Sequence, residues 1–148
     1  MYKHILVPTD GSKLSAKAIR TAARLARLSG AKLTGLCVTP PYVPPVYTEG
    51  MMTYGVTSAR AYKELKEKEA KKALAVVDIE GQTSGVEVAK ISLTADQPWK
   101  AIIGVARSKR CDLIVMASHG RRGLSALLLG SETAKVLTHS KIPVLVCR

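Results

Sequence analysis

Apolar and polar positions alternate along the chain with two periods, and their order predicts the fold. His4-Ile5-Leu6-Val7-Pro8 is an apolar run stopped by proline, Thr9-Asp10-Gly11-Ser12 supplies turn chemistry, and Leu14, Ala18, Ala22, Leu25 and Ala26 then fall at helical spacing. Strand, loop and helix follow. Ser29-Gly30 closes that helix, and Lys32 to Val38 reads as a second strand ending at Thr39-Pro40-Pro41. Pro40 to Gly55 holds four prolines, three tyrosines and two methionines without periodicity, the pattern of a surface loop.

From Thr57 a second helical stripe runs through Ala59, Tyr62, Leu65, Ala70, Ala73, Leu74 and Val77, with Lys and Glu crowding the positions between. Because both signs alternate, that charge is expected to form a solvated face laced with ion pairs. Gly81 to Gly85 is expected as a loop, and Val86 to Leu93 as a third strand. Asp96 is placed to cap a helix with Pro98 in its first turn and Ile102, Ile103, Val105 and Ala106 along it. Asp112 to Ala117 is apolar after its first residue, as a strand buried on both faces would be. Beyond Ser118-His119-Gly120-Arg121-Arg122-Gly123 and the apolar Leu124 to Leu129, Gly130-Ser131 introduces a helix over Glu132 to His139. Ile142 to Cys147 is the last strand, with Pro143 suggesting a sheet edge. Five strands alternating with helices call for a parallel sheet covered on both faces, an α/β fold. Ligands in such sheets bind beyond the C-terminal strand ends, where strand order reverses.

The chain has 148 residues, which predicts one domain spanning 1–148 and excludes two-domain enzymes. No apolar run reaches the roughly 18 to 20 residues of a membrane span, and the N-terminus reads as a strand rather than a signal peptide, so a cytoplasmic protein is expected. Cys37, Cys111 and Cys147 are irregularly spaced and read as buried hydrophobes rather than disulfides or zinc ligands. The net charge of +12 favours a polyanionic partner. Against nucleic acid stand the lack of an aromatic stacking platform and of a recognition-helix motif.

The stretch from Ala117 to Ser131 carries the strongest chemical signal. Gly120, Gly123 and Gly130-Ser131 lie between a buried strand and a helix, where bare backbone N–H groups and a helix N-terminus suit an oxygen-rich anion. Neither Walker A nor GxGxxG nor GxSxG is present, and a purely structural use of these glycines is the competing reading. His119 reads first as a structural donor, Lys13 and Lys17 as surface lysines, and Arg121 and Arg122 as either phosphate contacts or solvated residues. No general base, nucleophile and orienter assemble, so efficient catalysis is not expected.

The same residues resemble the universal stress protein (UspA-like) superfamily over essentially the whole chain. Ile5 to Ser12 is similar to that family's first strand and loop, Asp112 to Met116 to its fourth strand, and Ile142 to Val146 to its last. Its ATP-binding members carry Gly, two residues, Gly, nine residues and Gly-Ser/Thr; here the frame reads Ala117, Ser118-His119, Gly120, Arg121 to Leu129, Gly130-Ser131. The resemblance implies a Rossmann-like, adenine nucleotide alpha hydrolase-like sheet. It also implies ATP, with Mg2+, as ligand, Val38 at the base, Asp10 nearer the sugar, Pro8 and Met116 lining the cleft, and Gly120, Gly130 and Ser131 at the phosphates. A stress-response regulator that forms a homodimer through Val144 to Cys147 and acts on a further protein partner is the function implied. Two departures matter: Ala117 replaces the first glycine, and Glu132 follows Ser131 where a carboxylate would repel a triphosphate unless a cation intervened. Both favour the alternative, an interaction module of the same family that binds no nucleotide.

Overall fold

The computed structural model describes residues 1–45, 58–120 and 129–148. Five parallel strands, β1 (His4–Pro8), β2 (Lys32–Thr39), β3 (Val88–Thr94), β4 (Leu113–Ala117) and β5 (Val144–Cys147), form one sheet in the order β3-β2-β1-β4-β5. Helices α1 (Lys13–Ser29), α2 (Ala59–Ser84), α3 (Pro98–Ser108) and α4 (Ser131–His139) alternate with them. Alternation along the strands sorts the core into two layers. Ile5, Val7, Leu33, Cys37, Leu113 and Val115 pack with the buried alanines of α1 and with Ala70, Ala73, Leu74 and Val77 of α2. Leu6, Leu36, Ile114 and Met116 point the other way, onto Ile102, Ile103 and Ala106 of α3 and Val136 of α4. With no phenylalanine, this core is aliphatic, each fully buried Leu, Ile or Val contributing about 1.5–3 kcal/mol. Helices therefore cover both faces, as the alternating pattern predicts.

Local chemistry sets the ends. Ser12 caps α1 by accepting from the Ser15 N–H at 3.1 Å, and Gly30 ends it in the left-handed region at φ 63°, where a side chain would be strained. Gly35 in β2 serves packing instead: a Cβ there would stand 2.7 Å from Val77 Cγ2, so its absence lets α2 lie close on the sheet.

Several boundaries differ from expectation, most by a single residue. Gly81 to Gly85 is not a loop, because α2 runs on to Ser84 and the cap is Gly85; buried Gly81 stays helical, since a side chain there would collide with Val88. Asp96 does not cap α3: the N-cap is Gln97, without a side-chain hydrogen bond. β3 starts at Val88 rather than Val86, the Val86 N–H being held by the Gly81 carbonyl. β5 starts at Val144, after Pro143, and sits at the sheet edge beside β4 as the proline suggests.

The decisive feature lies along β1. Its pairing with β2 continues to Pro8↔Leu36, whereas the register with β4 stops at Leu6↔Ile114. Both neighbours run further, β2 to Thr39 and β4 to Ala117. Since the chain winds outward from β1 to β3 on one side and through β4 to β5 on the other, this notch falls at the switch point of the sheet.

Candidate functional site

The floor of the notch is the loop leaving β1. Half-buried Pro8 ends the strand, and the Thr9 N–H donates to the Leu36 carbonyl at 2.8 Å, holding the loop against β2. Buried Thr9 shares a 3.0 Å hydrogen bond with Ser15 Oγ, anchoring the turn to α1. Asp10 Oδ1 accepts from the Ser12 N–H at 3.0 Å, an Asx turn made possible by Gly11 at φ 79°. Asp10 is thereby fixed at the mouth of the notch.

The opposite wall is the end of β4 and the start of α4. Gly120 meets Asp10: a Cβ on Gly120 would lie 2.6 Å from Asp10 Oδ2, so any larger residue there requires the carboxylate to move. Gly130 is equally constrained, its missing Cβ falling 3.0 Å from His119 Cα and 3.2 Å from the Ser118 carbonyl oxygen, while its own N–H donates to that oxygen at 2.7 Å. The frame glycines thus draw the start of α4 onto the tip of β4. Thr133 completes the clamp, its buried hydroxyl donating to the Ala117 carbonyl at 2.9 Å. Gly130 is the N-cap of α4 and supplies no side-chain acceptor, so the first-turn amides receive no cap from it, and exposed Ser131 follows as the first helical residue. Uncapped amides and the positive end of a helix favour an anion.

The two departures from the glycine frame resolve in space. The Ala117 methyl packs with the α1–α2 layer, whereas Met116 and Val38 belong to the α3–α4 layer. Glu132 also turns away. Its Oε2 accepts from the Trp99 N–H at 2.9 Å, providing the cap that Gln97 and Asp96 do not, and its Oε1 pairs with Lys135 at 3.0 Å. The carboxylate therefore serves α3 and is committed before any ligand arrives.

Of the other expected site residues, Val38 stands on β2 two positions beyond the last β1–β2 pair, half-buried, and Met116 is buried on β4. His119 is half-buried, with Nδ1 3.2 Å from Ser118 Oγ. Arg121 and Arg122 lie outside the described residues. Sequence reasoning missed Thr9, Ser15 and Thr133, whose hydroxyls tie the loops down. A Thr and a Ser six apart across a strand-to-helix turn are the only local hint of the first pair.

Elsewhere the chemistry is structural. All three cysteines are buried, and the Cys111 thiol is pushed up to about 11 by burial and by the neighbouring Asp112 carboxylate, which keeps it protonated and unreactive at neutral pH. No group of three or more His, Cys, Asp or Glu poised to hold a metal occurs among the described residues. A cavity of about 500 Å³ lies between α2 and the tips of β2 and β3, lined by Thr39, Tyr42, Tyr62, Lys66 and Ser92 among others. It contains neither Asp10 nor the frame glycines, and the uncapped helix end does not face it from any lining residue.

Fold and site define a doubly wound α/β protein with a notch at the switch point of its sheet. The universal stress protein family model matches residues 1–148, and the chain belongs to that family. It is 32% identical to a universal stress protein of Methanocaldococcus jannaschii over 150 residues, covering all of this chain and 83% of that one. The universal stress protein UspA of Lactobacillus plantarum superimposes with a TM-score of 0.78 at 25% identity, over 99% of this chain and 98% of its own. A universal stress protein in complex with cAMP does so with a TM-score of 0.71 at 26% identity, over 99% and 97%. No helix among the described residues is long and apolar enough to cross a membrane.

Proposed function

We propose that this universal stress protein, a single domain over residues 1–148, binds an adenine nucleotide in the β1–β4 notch and works as a cytoplasmic, ATP-responsive regulator rather than an enzyme. The observation that carries this reading is the bare approach of Gly120 to Asp10 beside the uncapped start of α4. Val38 and Met116 supply an apolar wall for the base, Asp10 an acceptor for sugar hydroxyls, and Gly120, Gly130 and Ser131 meet the phosphates. The fold relative in complex with cAMP supports an adenine nucleotide as the ligand class. ATP with Mg2+ is the specific ligand proposed. Asp10 is the carboxylate placed at the mouth to share the cation with the phosphates, whereas Glu132 is turned toward Trp99.

The protein also pairs with a second copy through β5. This edge strand leaves Leu145 38% exposed, and Leu137 of α4 is 41% exposed nearby in the chain, an apolar edge that a second sheet would cover.

Thermal melting with and without ATP and Mg2+ tests the first reading. Nucleotide at about 100 times its Kd raises stability by about 2.7 kcal/mol, an upward shift of several degrees. An unchanged melting temperature at millimolar ATP overturns it in favour of the nucleotide-free interaction module. Sedimentation tests the second, for which a species of 15.8 kDa at micromolar concentration is the contrary result.

A further inference from the structure

Five of the twelve net positive charges lie on one helix. Helix α1 carries Lys13, Lys17, Arg20, Arg24 and Arg27 and no acidic residue. Steps of four, three, four and three place all five on one helix face, and all are exposed. From first to last they span about 21 Å. Glu80 reaches Arg20 at 4.0 Å, the one ion pair on this row among the described residues, and the Lys17 ammonium donates to the backbone oxygen of Arg148. Helix α2 is built the other way: Arg60–Glu64, Lys63–Glu67 and Lys66–Glu69 neutralise one another, and Asp78 takes Lys90.

We propose that the exposed face of α1 binds the phosphate backbone of duplex nucleic acid without reading sequence. Neighbouring cations on a helix stand about 5–6 Å apart, and a 21 Å row matches about six base pairs of axis, on which a duplex displays one charge per roughly 1.7 Å. Three of the five are arginines, whose planar fork takes phosphate oxygens in pairs. Helix α1 has no aromatic residue to stack on bases, so it suits a duplex with outward phosphates better than a single strand. An anionic membrane fits less well, because the apolar side of the helix, Ala18, Ile19, Ala22, Ala23 and Ala26, is spent in the core and cannot insert. The missing stacking platform and recognition motif that weighed against nucleic acid in the sequence are features of base reading, which backbone contact does not require.

Anisotropy of a labelled 20-base-pair duplex, titrated between about 50 and 200 mM salt, tests the surface. Five phosphate contacts predict a log–log slope of about −4.5. Combining Lys17→Gln, Arg20→Gln, Arg24→Gln and Arg27→Gln is expected to weaken binding at least about 30-fold at the lower salt and to flatten the slope. Lys13 stays because it adjoins the notch. The matched control, Lys63→Gln, Lys68→Gln, Lys71→Gln and Lys72→Gln on α2, removes the same charge and is expected to cost less than about threefold. Should the fourfold variant fail to fold, Arg24→Gln with Arg27→Gln is read instead, with a loss of about 3- to 10-fold expected. Equal losses in the α1 and α2 variants, no loss in either, or binding confined to phosphatidylserine vesicles each overturn the proposal.

Discussion

The seam between β1 and β4 is closed at one end and open at the other, and an aspartate stands at each. At the closed end Asp112 accepts from the Lys3 N–H at 2.8 Å and the His4 N–H at 3.0 Å, and its own N–H donates to the His4 carbonyl at 2.9 Å. His4 extends the lock through Nε2 to Thr34 Oγ1 at 2.7 Å and Nδ1 to the Lys109 carbonyl at 3.0 Å. At the open end the strands have parted, Asp10 serves its own turn, and glycine faces it across the gap. The same side chain is a rivet where strand amides converge on it and, under the proposed function, a ligand-facing group where glycine stands opposite. Position relative to strand direction, not residue type, divides structure from function.

That contrast is sharpest at Gly130. Gly130→Val is expected to lower nucleotide affinity at least about 100-fold by calorimetry, because backbone atoms 3.0 and 3.2 Å from the new Cβ cannot yield without displacing the start of α4. Asp10→Ala should cost about 10- to 30-fold in affinity while the ligand-free protein melts close to the parent. The mirror experiment is Asp112→Ala, which should destabilise by about 1–3 kcal/mol in urea unfolding and leave nucleotide affinity unchanged. If Asp112→Ala instead abolished binding, the two ends would not be separable.

Acid provides a gentler version of the same test. Burial works to raise the Asp112 carboxyl, but the His4 and Lys3 N–H groups outweigh it and hold the acid below its ordinary value. A folded pKa below the unfolded value of about 3.9 gives stability that is present above that pH and lost as pH falls through the folded value. Asp112→Asn should therefore show a shallower fall in stability below about pH 4 than the parent, read by denaturant titration across that range. Smallest is Glu132→Gln, expected to cost about 0.5–1 kcal/mol through a weaker cap on α3.

Much of this was legible in the sequence because it is local. The Ile5-Leu6-Val7 run, the Ser12 and Gly30 ends of α1 and the apolar β4 each announce themselves within a few residues, and the order of elements implied the parallel sheet. What failed was non-local. Gly81 looked like a breaker because its partner, Val88, lies on the next strand. Asp96 looked like a cap because the actual acceptor, Glu132, sits 33 residues from the amide it satisfies. The turn of Glu132 toward Trp99 was equally hidden, since no local pattern reveals which way a first-turn carboxylate points. Gly120, Gly130 and Ser131 stood out from their place between a buried strand and a helix and Asp10 from the family resemblance, while the close approaches that the two glycines admit emerged only in three dimensions.

The bond between Glu132 and the Trp99 amide ties the first turn of α4 to the chain's sole tryptophan, whose ring also lies 4.5 Å from that of His139 at the far end of the same helix. Both ends of α4 thus touch one residue, the first turn through its backbone amide and the last through its indole. The molecule carries its own optical gauge: anything that shifts this short helix along its axis changes the surroundings of a single fluorophore, readable without a label.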